Sequence, residues 1–221
     1  ILDIVVICDT TGLPLGRPTI TVVIDSYSSY IVGFFISFWG TGLASTFSAL
    51  KVAFAPKDAY ELSKLNIESP WHGMGVCELL VMDNGLEFHS PQMRSLATRI
   101  HMDLQYNPVR TPWLKGSVER SLGDLRHLLP SSGRVEKPRD NYIPISPEKT
   151  ASITFSALCQ GLAMAFVDVH ANQINQRKLA RPIDLFRDSL ELLPPPLLLG
   201  PTQEIDIVMG VQTARQVGNE G

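Results

Sequence analysis

Cysteine is scarce in this chain and poorly placed for cross-linking. Cys8, Cys77 and Cys159 are odd in number, lie far apart and form no CxxC pair. A disulfide framework or zinc ribbon is therefore not expected, and all three read as reduced, buried thiols of an intracellular protein. Long apolar runs are also missing. Stretches such as YIVGFFISF (30–38) fall well short of the roughly 20 residues that span a bilayer, and the first residues lack the basic-then-apolar order of a secretory leader. A soluble, cytoplasmic protein without a membrane partner is the expectation. Charge of one sign is not in excess: the net formal charge is −3, which argues against a uniformly basic nucleic-acid binder. His72, His89, His101, His127 and His170 show no metal-ligand spacing. No serine or cysteine nucleophile constellation is recognisable either.

With 221 residues and 44% hydrophobic content, the chain can bury a core of its own, as one large domain or one domain with appendages. LDIVVIC (2–8), TITVVID (19–25) and YIVGFFIS (30–37) are rich in β-branched and aromatic residues and are separated by turn-forming stretches. They predict three consecutive antiparallel strands. From Thr41 the period changes: Leu43, Phe47, Leu50 and Phe54 fall at helical spacing, with Thr41 as the cap and Pro56 as the stop. GVCELLVM (75–82) predicts a buried strand, SPQMRSLATRI (90–100) a short helix capped by Ser90 with Pro91 in its first turn, and 102–106 a further strand. In KGSVERSLGDLRHLL, Val118, Leu122, Leu125 and Leu129 make one apolar helical stripe. This element order predicts an α/β, ribonuclease H-like fold with a mixed five-stranded sheet, antiparallel then parallel, flanked by helices.

Two acids stand out in that order. Asp83 opens an Asp-Asn-Gly after the apolar run VCELLVM, and Glu119 lies beside the stripe in PWLKGSVER. A carboxylate at the mouth of a strand and another on a later helix can meet over divalent metal, the arrangement that in-line displacement at phosphorus requires. Arg110, Lys115, Arg120 and Arg126 cluster around Glu119, so a nucleic-acid surface belongs near it; a solvated helix face is the alternative reading.

GLPLGRPTITVVIDSYSSYIVGFFISF, VMDNGLEF and RTPWLKGSVERSLGDL together resemble the catalytic core of DDE transposases and retroviral-type integrases, most closely TnsB-like transposases of bacterial transposons. Each motif alone is weak, whereas the ordered set is specific. The resemblance covers residues 1–130 and implies that Asp83 and Glu119 are the second and third acids of a catalytic triad. Both would hold two magnesium or manganese ions. It further implies hydrolysis at transposon ends, then transfer of the freed 3′-hydroxyl into target DNA. The implied DNA contacts are Asn84, Arg110, Lys115 and Arg120; the implied partners are transposon-end DNA, target DNA, further copies of the chain assembled on DNA, and an accessory ATPase. The implied location is the bacterial cytoplasm.

The first acid of the resembled triad comes from a D-x-T motif that aligns just before Ile1. Asp9-Thr10-Thr11 spells the same pattern, but at the end of the first strand, where a hairpin turn begins. Asp25 is expected to organise the Ser26–Ser29 turn, and Asp3 to lie on the surface. Weak or no nuclease activity is therefore expected of residues 1–221 alone. The alternatives are an inactive docking or assembly module on the same scaffold and another ribonuclease H-like nuclease. Beyond the core, 131–150 predicts an irregular connection, 151–190 a helical extension whose first helix runs through TASITFSALCQGLAMAFVDVHANQ, and 191–221 a linker towards a β domain.

Overall fold

A hairpin of β-branched and aromatic residues is the spine of the molecule. In the computed structural model, which describes residues 1–57, 65–83, 85, 89–107, 129–135, 145–200 and 202–210, β3 (Thr19–Ile24) pairs antiparallel with β4 (Ile31–Ser37). Asp25 closes their connection: its Oδ2 accepts the Ser28 backbone N–H at 2.6 Å and the Ser28 hydroxyl at 2.5 Å. Strand alternation then divides the hairpin between two cores. Ile20, Val22, Ile24, Ile31 and Ile36 face one cluster, with Phe166, Leu158 and Phe186, whereas Val23 faces another, with Phe47, Leu50 and Met93.

Helix α1 (Leu43–Phe54) covers the second face of the hairpin. The period read from the sequence is the buried stripe, since Phe47, Leu50 and Phe54 are buried. Its N-cap is Gly42 without a side-chain hydrogen bond, one residue beyond the expected Thr41. At the other end the buried Lys57 ammonium donates to the carbonyls of Val52, Ala53 and Ala55 and lies 5.0 Å from the centre of the Trp71 ring. Three orphan carbonyls of the last turn are thereby satisfied. From there the chain reaches β5 (Leu79–Met82), α2 (Pro91–Arg99) and β6 (Asp103–Tyr106), with β5 and β6 parallel. Ser90 caps α2, accepting the Met93 N–H at 3.2 Å.

The expected five-stranded sheet is not seen among the described residues, whose strands form three two-stranded sheets. The cause lies in the first strand. Only Val6–Ile7 (β1) is laddered, and its partner is Pro14–Gly16 (β2), inside the expected turn. Neighbouring groups bond elsewhere, Leu2 N–H to Pro18 O and Val5 N–H to Gly133 O, both at 2.8 Å, and within β1 the Ile7 N–H goes to Ile153 O at 3.0 Å. Backbone groups satisfied by irregular segments have no need of a neighbouring strand. β5 is likewise not the buried strand expected, because Leu79 and Val81 are 47% and 46% exposed and only Met82 is fully covered.

The predicted long helix is shorter and changes type. Thr154 caps α4 (Phe155–Ala163), which follows the short α3 (Pro147–Thr150) and continues as a π-helix over Met164–His170. In that wider turn Asp168 accepts the backbone N–H of Glu68 and Ser69, and the His170 ring meets the Ser29 carbonyl at 2.9 Å. Helix α5 (Pro182–Leu192) follows, packing Ile183 and Phe186 on the first core, with Phe186 stacked on Tyr30.

The stretch expected to be a linker returns to the body of the protein. Leu197 bridges Val76, and after it α6 (Thr202–Val208) brings Ile205 and Met209 into the second core at 1% and 0% exposure. Among the described residues, no helix is long and apolar enough to cross a membrane.

Candidate active site at the ends of β5 and β6

Parallel pairing sets the geometry here. The ladder runs in step from Leu79↔Asp103 to Met82↔Tyr106, so the two strands end together and Asp83 and Asn107 leave them side by side. The Asn107 N–H extends the ladder by donating to Met82 O at 2.8 Å. Met82, anchored in the second core, fixes the base from which Asp83 projects. Asp83 is partly exposed, and its Oδ1 accepts the Gly85 N–H at 3.3 Å, an Asx-type turn that directs the chain away from the strand. The carboxyl ends of parallel strands are where open α/β sheets place ligands. A carboxylate oxygen held there suits a hard divalent cation.

Two rings complete the described part of the site. His89, just before the α2 cap, stacks on Tyr106 with centroids 4.1 Å apart and planes 23° apart. The sequence assigns His89 no ligand role and carries no sign of Tyr106. The signal that could have found it is its place at the end of the strand parallel to the one that carries Asp83.

Glu119, Asn84, Arg110, Lys115 and Arg120 lie outside the described residues. Among the described residues, no group of three or more His, Cys, Asp or Glu gathers as a metal site. The remaining candidate acids have other occupations. Asp9 accepts the Ser156 N–H at 3.2 Å and the Ser156 hydroxyl, tying the end of β1 to the first turn of α4. Those bonds, the hydroxyl's first, hold its carboxyl below the usual range. Asp3 makes a surface ion pair with Arg17 at 2.6 Å.

The cysteines are free but unequal. Hydrogen bonds from Thr10 and then Thr11 lower the Cys8 thiol to about 6, whereas burial pushes Cys77 up to about 11. Cys159 is raised to about 11 by burial and then by the charge of Asp9.

Comparisons with known proteins bear on this site. The chain is 30% identical over 120 residues to the transposase for transposon Tn552 of Staphylococcus aureus, covering 54% of this chain and 23% of that protein. It is 31% identical over 115 residues to the Tn7 transposition protein TnsB of Escherichia coli, covering 51% of this chain and 16% of that protein. The chain thus spans under a quarter of the length of these relatives. A cryo-EM structure of the simian T-cell lymphotropic virus intasome in complex with PP2A regulatory subunit B56 gamma aligns at 15% identity with a TM-score of 0.46, over 96% of this chain and 58% of that one. Residues 1–132, which contain both Asp83 and Glu119, match the TnsB C-terminal domain family, and the chain belongs to that family.

Proposed function

We propose that this chain carries the catalytic core of a DNA transposase, with a ribonuclease H-like scaffold, that cleaves phosphodiesters at transposon ends and joins the freed 3′-hydroxyl to target DNA. The observation that carries the reading is Asp83 at the paired ends of β5 and β6, inside the family-matched segment. Asp83 and Glu119 are the residues that would hold magnesium or manganese. When bound, such ions neutralise charge developing at the phosphorus and lower the pKa of the attacking oxygen.

The protein's own contribution is placement. Parallel strand ends give the Asp83 carboxylate a fixed base, and the Gly85 N–H restrains one of its oxygens. Cleavage breaks the bond between phosphorus and the 3′-oxygen as water adds, leaving a 3′-hydroxyl and a 5′-phosphate. In joining, that hydroxyl adds to a target phosphodiester and displaces the target's own 3′-oxygen. Neither step needs a covalent protein intermediate. Asn84, Arg110, Lys115 and Arg120 serve as DNA contacts in this reading. The working form is a homo-oligomer assembled on DNA, served by an accessory ATPase.

The test uses the complete protein and labelled transposon-end DNA. Asp83→Asn and Glu119→Gln are expected to abolish both cleavage and joining while leaving DNA binding near normal. Joining retained by either variant overturns the assignment.

A further inference from the structure

We propose that Trp39 is a stacking platform for an unpaired base at the cut end of the transposon DNA; the inference rests on the transposase reading. Trp39 is 90% exposed and lies in the loop between β4 and α1. A single exposed apolar side chain needs no explanation by itself. What sets this one apart is how firmly its backbone is held. The buried Ser37 hydroxyl at the end of β4 and the buried Ser45 hydroxyl in the first turn of α1 both donate to the Gly40 carbonyl, at 3.3 and 3.0 Å. On one side of Trp39, Phe38 packs on Phe155 of α4 with ring centroids 5.5 Å apart; on the other, Leu43 packs against the second core. Two buried serines are thus committed to an arch whose tip carries one large, uncovered ring.

The surroundings select a nucleotide over an apolar partner. Residues 26–57 contain no aspartate or glutamate, and Asp9, which reaches the start of α4, is engaged by Ser156. Helix α1 opens beside the ring with no side-chain cap bond at Gly42 and no acid in its first turn. Its first backbone N–H groups have no partner within the helix and carry the positive end of its dipole, a field that suits a phosphate. A ring for the face of any base, next to positive potential for the backbone, is the combination that binds single-stranded DNA. Duplex DNA hides its base faces in the stack, and unstacking is costly. A strand that cleavage has freed of its neighbour offers such a face without that cost.

The loop also stands at the right end of the molecule. Helix α1, about 18 Å long at 1.5 Å per residue, leads from the loop to Phe54, whose carbonyl accepts the Gly75 N–H at 2.8 Å. The strand that follows, β5, packs in the same core as α1. A strand that starts beside the last turn of a helix and shares its core runs back along it, so Trp39 and Asp83 stand towards one end of that core.

The experiment uses the complete protein in EDTA, where no chemistry occurs, with two forms of pre-cleaved transposon-end DNA. One is blunt; the other carries a single-stranded extension with 2-aminopurine at its first unpaired position. Trp39→Ala is expected to weaken binding of the extended form by about 5- to 100-fold, the scale of one base–aromatic stack, and to relieve the quenching of 2-aminopurine. The blunt form and the thermal midpoint are expected to stay unchanged. Trp39→Phe keeps a π face and is expected to retain most of the binding, whereas Trp39→Leu is expected to behave like Trp39→Ala. A methylphosphonate beside the unpaired base should weaken wild-type binding severalfold.

Unchanged binding of the extended form by Trp39→Ala would overturn the platform. So would equal losses on the blunt and extended forms, a defect seen only with target DNA, or wild-type binding by Trp39→Leu, which would make the contact merely apolar. An inert methylphosphonate would overturn the part given to α1. If Asp83→Asn retains joining, the catalytic reading fails instead, and binding in EDTA still decides the role of Trp39.

Discussion

Gly33 is where the packing of this protein has least room. A Cβ built there would lie 2.6 Å from Ala53 N and 2.8 Å from both Ala49 O and Ala53 Cα, all backbone atoms of α1. No rotamer change relieves such a contact, so Gly33→Ala must push α1 off β4. Overpacking of cores costs typically about 1–3 kcal/mol, and an obstacle made wholly of backbone puts this site at the upper end, about 3 kcal/mol. Part of the second core moves with the helix, because α1 contributes Phe47, Leu50, Ala53 and Phe54 to it. The same substitution at Gly161 is the control. That residue is exposed on α4, and a Cβ there would meet nothing within 4 Å. Gly161→Ala should therefore gain about 1 kcal/mol from helix propensity.

Urea unfolding followed by circular dichroism measures both. With a slope of about 2–3 kcal/mol per molar, Gly33→Ala should lower the midpoint by roughly 1 M and Gly161→Ala should raise it by a few tenths. A wild-type midpoint for Gly33→Ala, or shifts of the same sign in both variants, would refute the close contact of α1 and β4. The end of α1 also holds the approach to β5, since the Phe54 carbonyl accepts the Gly75 N–H at 2.8 Å, where the chain turns towards that strand.

Further predictions concern the tail and the thiols. Met209→Ala should cost about 2–5 kcal/mol as a large-to-small change in a core, because Met209 is fully buried. Asp206→Ala, which removes an exposed pair with Lys51, should cost no more than about 1 kcal/mol; equal and negligible losses in urea melts would show that α6 is not docked. Iodoacetamide at pH 7 should label Cys8 first, since a thiol lowered to about 6 is mostly thiolate there whereas thiols raised to about 11 are almost wholly protonated. The Cys8 rate should fall as pH drops through about 6. Peptide mapping that finds three equal rates would contradict this ordering.

Local signals in the sequence hold where neighbours only reinforce them. Ser90 and Pro91 start α2, the Leu43–Phe54 period is the buried face of α1, and the Asp25 carboxylate closes the β3–β4 turn. Each depends on residues a few positions apart. The structure departs from these signals where partners are distant. LDIVVIC has the composition of a full strand, yet its backbone bonds to 133 and 153 shorten it to Val6–Ile7. TASIT reads as the start of a helix, yet pairing of Ile7 with Thr154 keeps it extended until Thr154 turns cap.

The sequence by itself determined the family, through three ordered motifs, and it determined the elements whose hydrogen bonds are local. It also pointed to Asp83, which follows an apolar run and opens an Asp-Asn-Gly. Tertiary structure alone decided what surrounds that acid. Tyr106 is paired with Met82 and stacked by His89 only because β5 and β6 run parallel and end together. The return of 196–209 was equally hidden: LPPPLLLG has no periodicity to announce a docking surface, and the pocket that accepts Ile205 and Met209 is built from α1, α2 and the strand leading to Asp83. Burial is a property of two surfaces, and a one-dimensional pattern specifies only one of them.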